Sequence, residues 1–134
     1  MHVQATEFYP ANKPWVESKT GVRLAGGICA ECDVVCFPIA ANCPTCGAQA
    51  MKEHMTGTDG RLYSYTVVHT GPRQFGSPYA VGYVDMDDGL RLFAQIERSA
   101  AELKLDARME LFIGEVSKGI DQPVVISYKF REVV

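Results

Sequence analysis

Two Cys-x-x-Cys pairs, Cys29/Cys32 and Cys43/Cys46, lie in the stretch "CAECDVVCFPIAANCPTCG" with ten residues between them, and the chain has no cysteine outside it. Each pair lays two thiolates on one side of a tight turn. Two such turns facing each other supply the four soft ligands of a tetrahedral metal site. Pro44 and Gly47 favour the second turn, because proline presets its backbone angle and glycine accepts a positive one. The residues between the pairs, Val34 to Ile39, are expected to form the strand of a zinc ribbon. Iron would use the same four thiolates, so the spacing specifies the ligands more sharply than the ion. Four cysteines close the coordination sphere, whereas a catalytic zinc keeps a position open for water or substrate, so the expected role is structural. Such a site contributes on the order of 10 kcal/mol to folding a module too small to own a core.

The fifth cysteine, Cys36, has the apolar neighbours Val34, Val35, Phe37 and Pro38 and no nearby histidine in sequence. Nothing local stabilises a thiolate there, and a buried structural cysteine is expected. An odd cysteine count also fits a metal site in a reducing compartment better than a disulfide framework. Residues 1–20 lack the continuous apolar segment of a signal peptide, and no later apolar run approaches the ~20 residues of a membrane span. A cytoplasmic chain without a membrane partner is expected. Its 47% hydrophobic and 22% charged residues are those of a soluble globular protein.

From Gly60 onward the pattern changes to period two. "RLYSYTVVHT" alternates Leu62, Ser64, Thr66 and Val68 with Tyr63, Tyr65, Val67 and His69 after an Asp59-Gly60 turn. "YAVGYVDM" and "LRLFAQIE" flank Asp87-Asp88-Gly89, a hairpin signal, with Leu90, Leu92, Ala94 and Ile96 expected inward. Ser99 and Glu102 have capping-box spacing and predict a short helix over "SAAELKL". "MELFIGEV" and "VVISYKFREVV" supply two last strands. A small β-sandwich shares most of these signals. The helix between the third and fourth strands favours a five-stranded OB-fold barrel. The expected organisation is mainly β: an N-terminal arm over 1–24, a zinc ribbon over 25–50, and the OB-fold domain over 51–134.

Zinc ribbons and OB-folds both serve nucleic-acid binding, so a single-stranded nucleic-acid protein is one reading. Charge opposes it. The chain carries a net charge of −3, and no Lys or Arg lies between Arg23 and Lys52, while Glu31 and Asp33 adjoin the cysteines. A ribbon with four thiolates on one divalent ion repels a phosphate backbone.

The order "CAEC", "FP", "CPTCG", "GRLYSYTVVHT", "PYAVGYVDMDDGLRLFAQI" and a terminal "YKF" resembles the acyl-CoA-associated zinc-ribbon plus OB-fold family, the domain-of-unknown-function-35 family, from about Gly21 to the C-terminus. The resemblance implies a partly helical N-terminal arm and a rubredoxin-like ribbon with zinc on Cys29, Cys32, Cys43 and Cys46. It also implies a non-catalytic subunit in a hetero-oligomer with a thiolase-fold enzyme, a thiolase or thiolase-like aldolase. Such a subunit stabilises the enzyme and helps form the acyl-CoA site, in some cases in aromatic acyl-CoA degradation. Where many members carry Gly after the second cysteine and Pro-Pro-Arg further on, this chain has Asp33 and Pro38-Ile39-Ala40, which removes one phosphate or partner contact.

An independent enzyme of that class needs a cysteine nucleophile with histidine bases, and the spare cysteine here sits in an apolar strand. His69 at the end of "VVHT" suits a bond to a backbone carbonyl better than catalysis, and Asp85, Asp87 and Asp88 suit a solvated turn better than a metal. If CoA is contacted, the loop Gly71 to Tyr79 offers Arg73 for a phosphate and Phe75 and Tyr79 to cover an adenine or acyl chain; an exposed loop is the alternative reading. Phe8, Tyr9 and Trp15 stand on a Pro-containing arm outside both modules and are the candidate anchors for a partner.

Overall fold

The structure is a computed structural model that describes residues 7–8 (backbone only), 14–71, 78–97, 102–117 and 124–133. The strands are β1 (Glu7–Phe8), β2 (Trp15–Ser18), β3 (Gly21–Cys29), β4 (Val35–Cys36), β5 (Met51–Met55), β6 (Asp59–Val68), β7 (Tyr79–Met86), β8 (Arg91–Ile96), β9 (Arg108–Ser117) and β10 (Val124–Glu132). In the first sheet β3 is central, pairing antiparallel with β2 through its first half and with β4 and β5 through its second. In the second sheet β6 to β10 form a closed cycle, and β1 adds to β10 in parallel. β6, β7 and β8 run as an antiparallel meander, and β10 lies parallel to β8 at Phe130 and Ile96. β10 then pairs antiparallel with β9, and β9 with β6. That order, with its one parallel contact between the third and fifth barrel strands, is an OB-fold barrel.

The alternation predicted for β8 is present: Leu92, Ala94 and Ile96 are buried, while Arg91 and Phe93 face water. The Asp-Gly hairpin is present too. Gly89 has φ 95°, its N–H donates to Met86 at 2.9 Å, and Met86 N–H donates to Leu90 at 2.7 Å. In β6 the period-two pattern breaks. The register with β7 slips between Leu62 and Ser64, so Tyr63 is an extra residue in a β-bulge. Leu62 is buried before the bulge, whereas after it Tyr65 packs against the core and donates its hydroxyl to the Leu103 carbonyl at 3.1 Å. The two residues predicted on opposite faces therefore point inward together. Gly82 lets β6 and β7 close at this place: a Cβ there would collide with the Ser64 carbonyl and stand 2.7 Å from Ile96 Cδ1.

Two expectations fail. The partly helical N-terminal arm is not observed among the described residues of 1–24. Trp15–Ser18 is a strand, and Trp15 is opposite Leu24 with both side chains in the core, at 8% and 0% exposure. Trp15 is consequently no exposed partner anchor: its ring is used up in closing the base of the first sheet onto the barrel. The predicted short helix is likewise missing over the described residues 102–107, Ser99 itself lying outside them. Both backbone groups of Leu62 are the cause. Leu62 N–H donates to Ala107 at 3.0 Å and its carbonyl accepts from Asp106 at 2.8 Å, which draws this segment along β6 while Leu103 is buried.

The boundary expected between residues 24 and 25 falls inside β3. Val22 and Leu24 share one hydrophobic cluster with Leu62, Val84, Met109 and Phe130 of the barrel. Thr56, fully buried, completes the junction: its N–H donates to the Leu24 carbonyl at 2.9 Å and its Oγ1 accepts the Leu24 N–H at 3.0 Å.

Trp15→Ala is expected to lower unfolding stability by about 3–5 kcal/mol. Gly82→Ala is expected to cost about 1–3 kcal/mol through overpacking at the bulge. Urea denaturation followed by circular dichroism measures both, and an effect under 0.5 kcal/mol in either would contradict the packing described.

Candidate metal centre

The two knuckles are built by backbone hydrogen bonds that curl the chain around its own sulfurs. At the first, Asp33 N–H donates to the Cys29 carbonyl at 2.8 Å and Cys29 N–H to Val34 at 2.9 Å, with Asp33 at φ 63°. At the second, Gly47 N–H donates to Cys43 at 3.0 Å and Cys43 N–H to Ala48 at 2.9 Å, with Gly47 at φ 77°. Gly47 thus occupies a conformation that favours glycine, as its sequence position predicted. β3 and β5 bring the knuckles face to face, since Cys29 ends one strand opposite Met51 at the start of the other.

The four sulfurs of Cys29, Cys32, Cys43 and Cys46 lie within 4.8 Å of one another. Cys29 and Cys46 are 3.7 Å apart, and Cys32 and Cys43 3.5 Å. A cation bonded to four sulfurs at about 2.3 Å sets them about 3.8 Å apart at the corners of a tetrahedron, so the cluster fits a tetrathiolate metal site. Among the described residues this is the one such group of His, Cys, Asp or Glu.

Its electrostatics call for a cation. Backbone N–H groups of Cys46 and Thr45 point at the Cys43 sulfur, each at 3.4 Å, and with neighbouring thiols they lower its pKa to about 6. The N–H of Val34 favours the Cys32 thiolate, but desolvation and the other three sulfurs outweigh it and push that thiol up to about 12. Cys46 behaves alike: the N–H of Ala48 favours its thiolate, while Cys43, burial and Cys29 raise its pKa. Four thiolates this close together repel one another. A divalent ion removes the conflict, taking the place of the protons.

The remaining candidate residues do not gather into a second site. Cys36 is half-buried in β4, opposite Gly27. Asp85 and Asp87 are held by Arg91 and Arg108, whose guanidinium groups lower both carboxyl pKa values. His69 is exposed past the end of β6. Tyr79 opens β7 and is half-buried; Arg73, Phe75 and Tyr9 lie outside the described residues, and Phe8 is described only as backbone in β1. Sequence reasoning missed Thr56 and also His54, whose Nε2 stands 3.5 Å from Asp88 Oδ2 between ribbon and hairpin. Neither belongs to a motif, and only the three-dimensional junction singles them out.

Comparison with known proteins gives consistent matches. The family described as "ChsH2, C-terminal OB-fold domain" matches residues 53–113. The benzoylsuccinyl-CoA thiolase subunit BbsA of Thauera aromatica is 34% identical over 110 residues, 82% of this chain and 76% of that protein. A DUF35 domain-containing scaffold protein of Methanocaldococcus jannaschii is 26% identical over 90% of this chain and 89% of its own length. Among solved structures, the "Ltp2-ChsH2(DUF35) aldolase" superposes with a TM-score of 0.67 at 28% identity, covering 84% of this chain and 86% of that one.

Cys43→Ser is expected to cut bound metal, measured by plasma emission spectrometry, to below about one-tenth of the wild-type content and to lower the melting temperature. A chelator should do the same to the wild type. Acidification should release the ion, because protons compete for the thiolates it requires, and a rise in pH should not. Full metal content in Cys43→Ser would remove the cluster as the site.

Proposed function

The chain belongs to the domain-of-unknown-function-35 family, and from that premise we propose that it is a non-catalytic accessory subunit of an acyl-CoA-processing complex whose partner is a thiolase-fold enzyme, a thiolase or a thiolase-like aldolase. The observation that carries the reading is the 34% identity to a thiolase subunit across four-fifths of the chain. The likeness in fold to the chain from an aldolase complex supports it. In this reading zinc is the ion of the four-cysteine cluster and holds the ribbon, and the chain braces its partner and helps form the acyl-CoA site. The segment Gly71 to Tyr79, with Arg73, Phe75 and Tyr79, is the proposed CoA-facing part, and the cytoplasm, where thiols stay reduced, is the proposed compartment.

The placement of the nucleophilic groups supports an accessory role. Four of the five cysteines belong to the metal cluster. The fifth, Cys36, pairs with Gly27, whereas His54 pairs with Gly26 on the opposite side of β3. Successive residues of a strand point to opposite faces, so this cysteine and this histidine lie on different faces of the ribbon sheet and do not form a nucleophile–base pair.

Tagged protein purified from its host at low salt is expected to bring down a thiolase-fold protein, identified by mass spectrometry, in near-equal amount. The pair should turn over an acyl-CoA substrate that this chain alone leaves unchanged. Elution of the chain by itself, or intrinsic activity of the isolated chain, would refute the proposal.

A further inference from the structure

The outward wall of β6, β7 and β8 carries three aromatic rings that the fold leaves half in water: Tyr63 at 52%, Tyr83 at 44% and Phe93 at 51% exposure. They form one row. Tyr83 and Phe93 are cross-strand partners with ring centroids 5.0 Å apart, and the Arg91 guanidinium lies 3.6 Å over the Tyr63 ring. Tyr63 joins the row through the β-bulge, which sets it and Ser64 together against Tyr83. A bulge that re-aims one side chain is a device that proteins place beside functional surfaces. Alternation along β6 places Tyr65 on the same face as Tyr63; the bulge turns Tyr65 inward, and Tyr83 and Phe93 complete the row.

The charges along this wall decide what the row can meet. Arg91 is bound twice by Asp85, at 2.6 and 3.1 Å. Arg108 is bound twice by Asp87, at 3.0 and 2.8 Å, with Asp59 at 3.9 Å, and Arg61 adds attraction to Asp87. Three arginines face three aspartates, so the wall is neutral overall and leaves little free cation for a phosphate chain. Polyanions bind through unpaired Lys and Arg, and a stacking platform for single-stranded nucleic acid needs a basic groove beside its rings. A neutral wall suits a neutral, apolar protein surface. Half-exposed aromatics offer on the order of 100 Å² each, so the row supplies about 300 Å². That is the size of the anchor cluster at the centre of an interface of about 800 Å² per side, with the ion pairs as its polar rim.

We infer that Tyr63, Tyr83 and Phe93, with Arg91 over Tyr63, are the anchor by which this chain docks an apolar surface of its thiolase-fold partner. The inference rests on the accessory-subunit reading above. It assigns docking to the barrel wall, on elements whose register and bulge fix the rings before binding, so little ordering cost remains to be met on association.

The test uses the thiolase-fold subunit identified by co-purification, produced separately, and measures its affinity for the full metal-loaded chain by calorimetry. The triple variant Tyr63→Ser, Tyr83→Ser, Phe93→Ser should keep wild-type circular dichroism and metal content, and its Kd should rise at least about thirtyfold. Val16→Ser with Met55→Ser, two exposed ribbon positions, should change Kd by less than about twofold. If the triple variant does not fold, Tyr83→Lys and Phe93→Lys, each checked for fold, replace it and should each weaken binding at least about tenfold. Unchanged affinity in a folded variant would overturn the docking surface and leave the accessory-subunit reading standing. No association by the wild type would overturn both. Ultracentrifugation showing a self-association that the triple variant abolishes would assign the row to a second copy instead. Salt-sensitive binding of a thymidine oligonucleotide, lost in the variant, would assign it to nucleic acid; either result overturns the inference.

Discussion

Four sulfurs held within 4.8 Å cannot all carry their charge unless a cation sits among them. That one electrostatic requirement organises the first half of the molecule. The ribbon sheet is short: β4 has two residues and β5 five. Strands of that length do not hold themselves in water. The knuckles supply what the sheet lacks, by closing a long connection on both sides at once. Through Cys29, the last residue of β3, the same requirement fixes where β3 ends, and β3 in turn brings Val22 and Leu24 into the barrel core.

The barrel depends on a different constraint. Its closure needs β10 to reach both β8 and β9, and the parallel contact at Phe130 and Ile96 is where it does so, with Phe130 fully buried. A closed barrel of five strands has an interior only as wide as its side chains. Gly82 and Gly60 accordingly stand where a neighbouring backbone comes too close for a Cβ, against the Ser64 and Asp85 carbonyls. The inner faces are therefore spent on stability. What the chain presents to other molecules is left to the outer wall, the loops and the ribbon surface.

Local chemistry was legible in the sequence, and non-local chemistry was not. The ligand set follows from spacing within eighteen residues, and the Asp87-Asp88-Gly89 turn and the alternation of β8 follow from neighbours in the chain. Trp15 misleads because proline and aromatic content resemble a loose arm, while its burial depends on Leu24, nine residues away across a hairpin. The helix expected from Ser99 and Glu102 rests on a capping pattern that the two backbone bonds of Leu62 override along the described part of that segment. The OB-fold was thus the correct expectation with the wrong support: strand order carries it, not a helix. The bulge at Tyr63 leaves no trace in composition, since one extra residue changes the phase of a strand without changing its character.

β3 has one end among the four clustered cysteines and the other in the hydrophobic core, and the two ends are not thermodynamically separate. Any free energy that the ion adds at Cys29 holds Leu24 in place as well, and by reciprocity a loosened core weakens the grip on the ion. A bound ion would then act as a reserve against mutation. Sequence changes in the barrel that would unfold the bare chain would remain tolerable in a loaded one, and the range of surfaces this scaffold can explore would then depend in part on how much metal its surroundings provide.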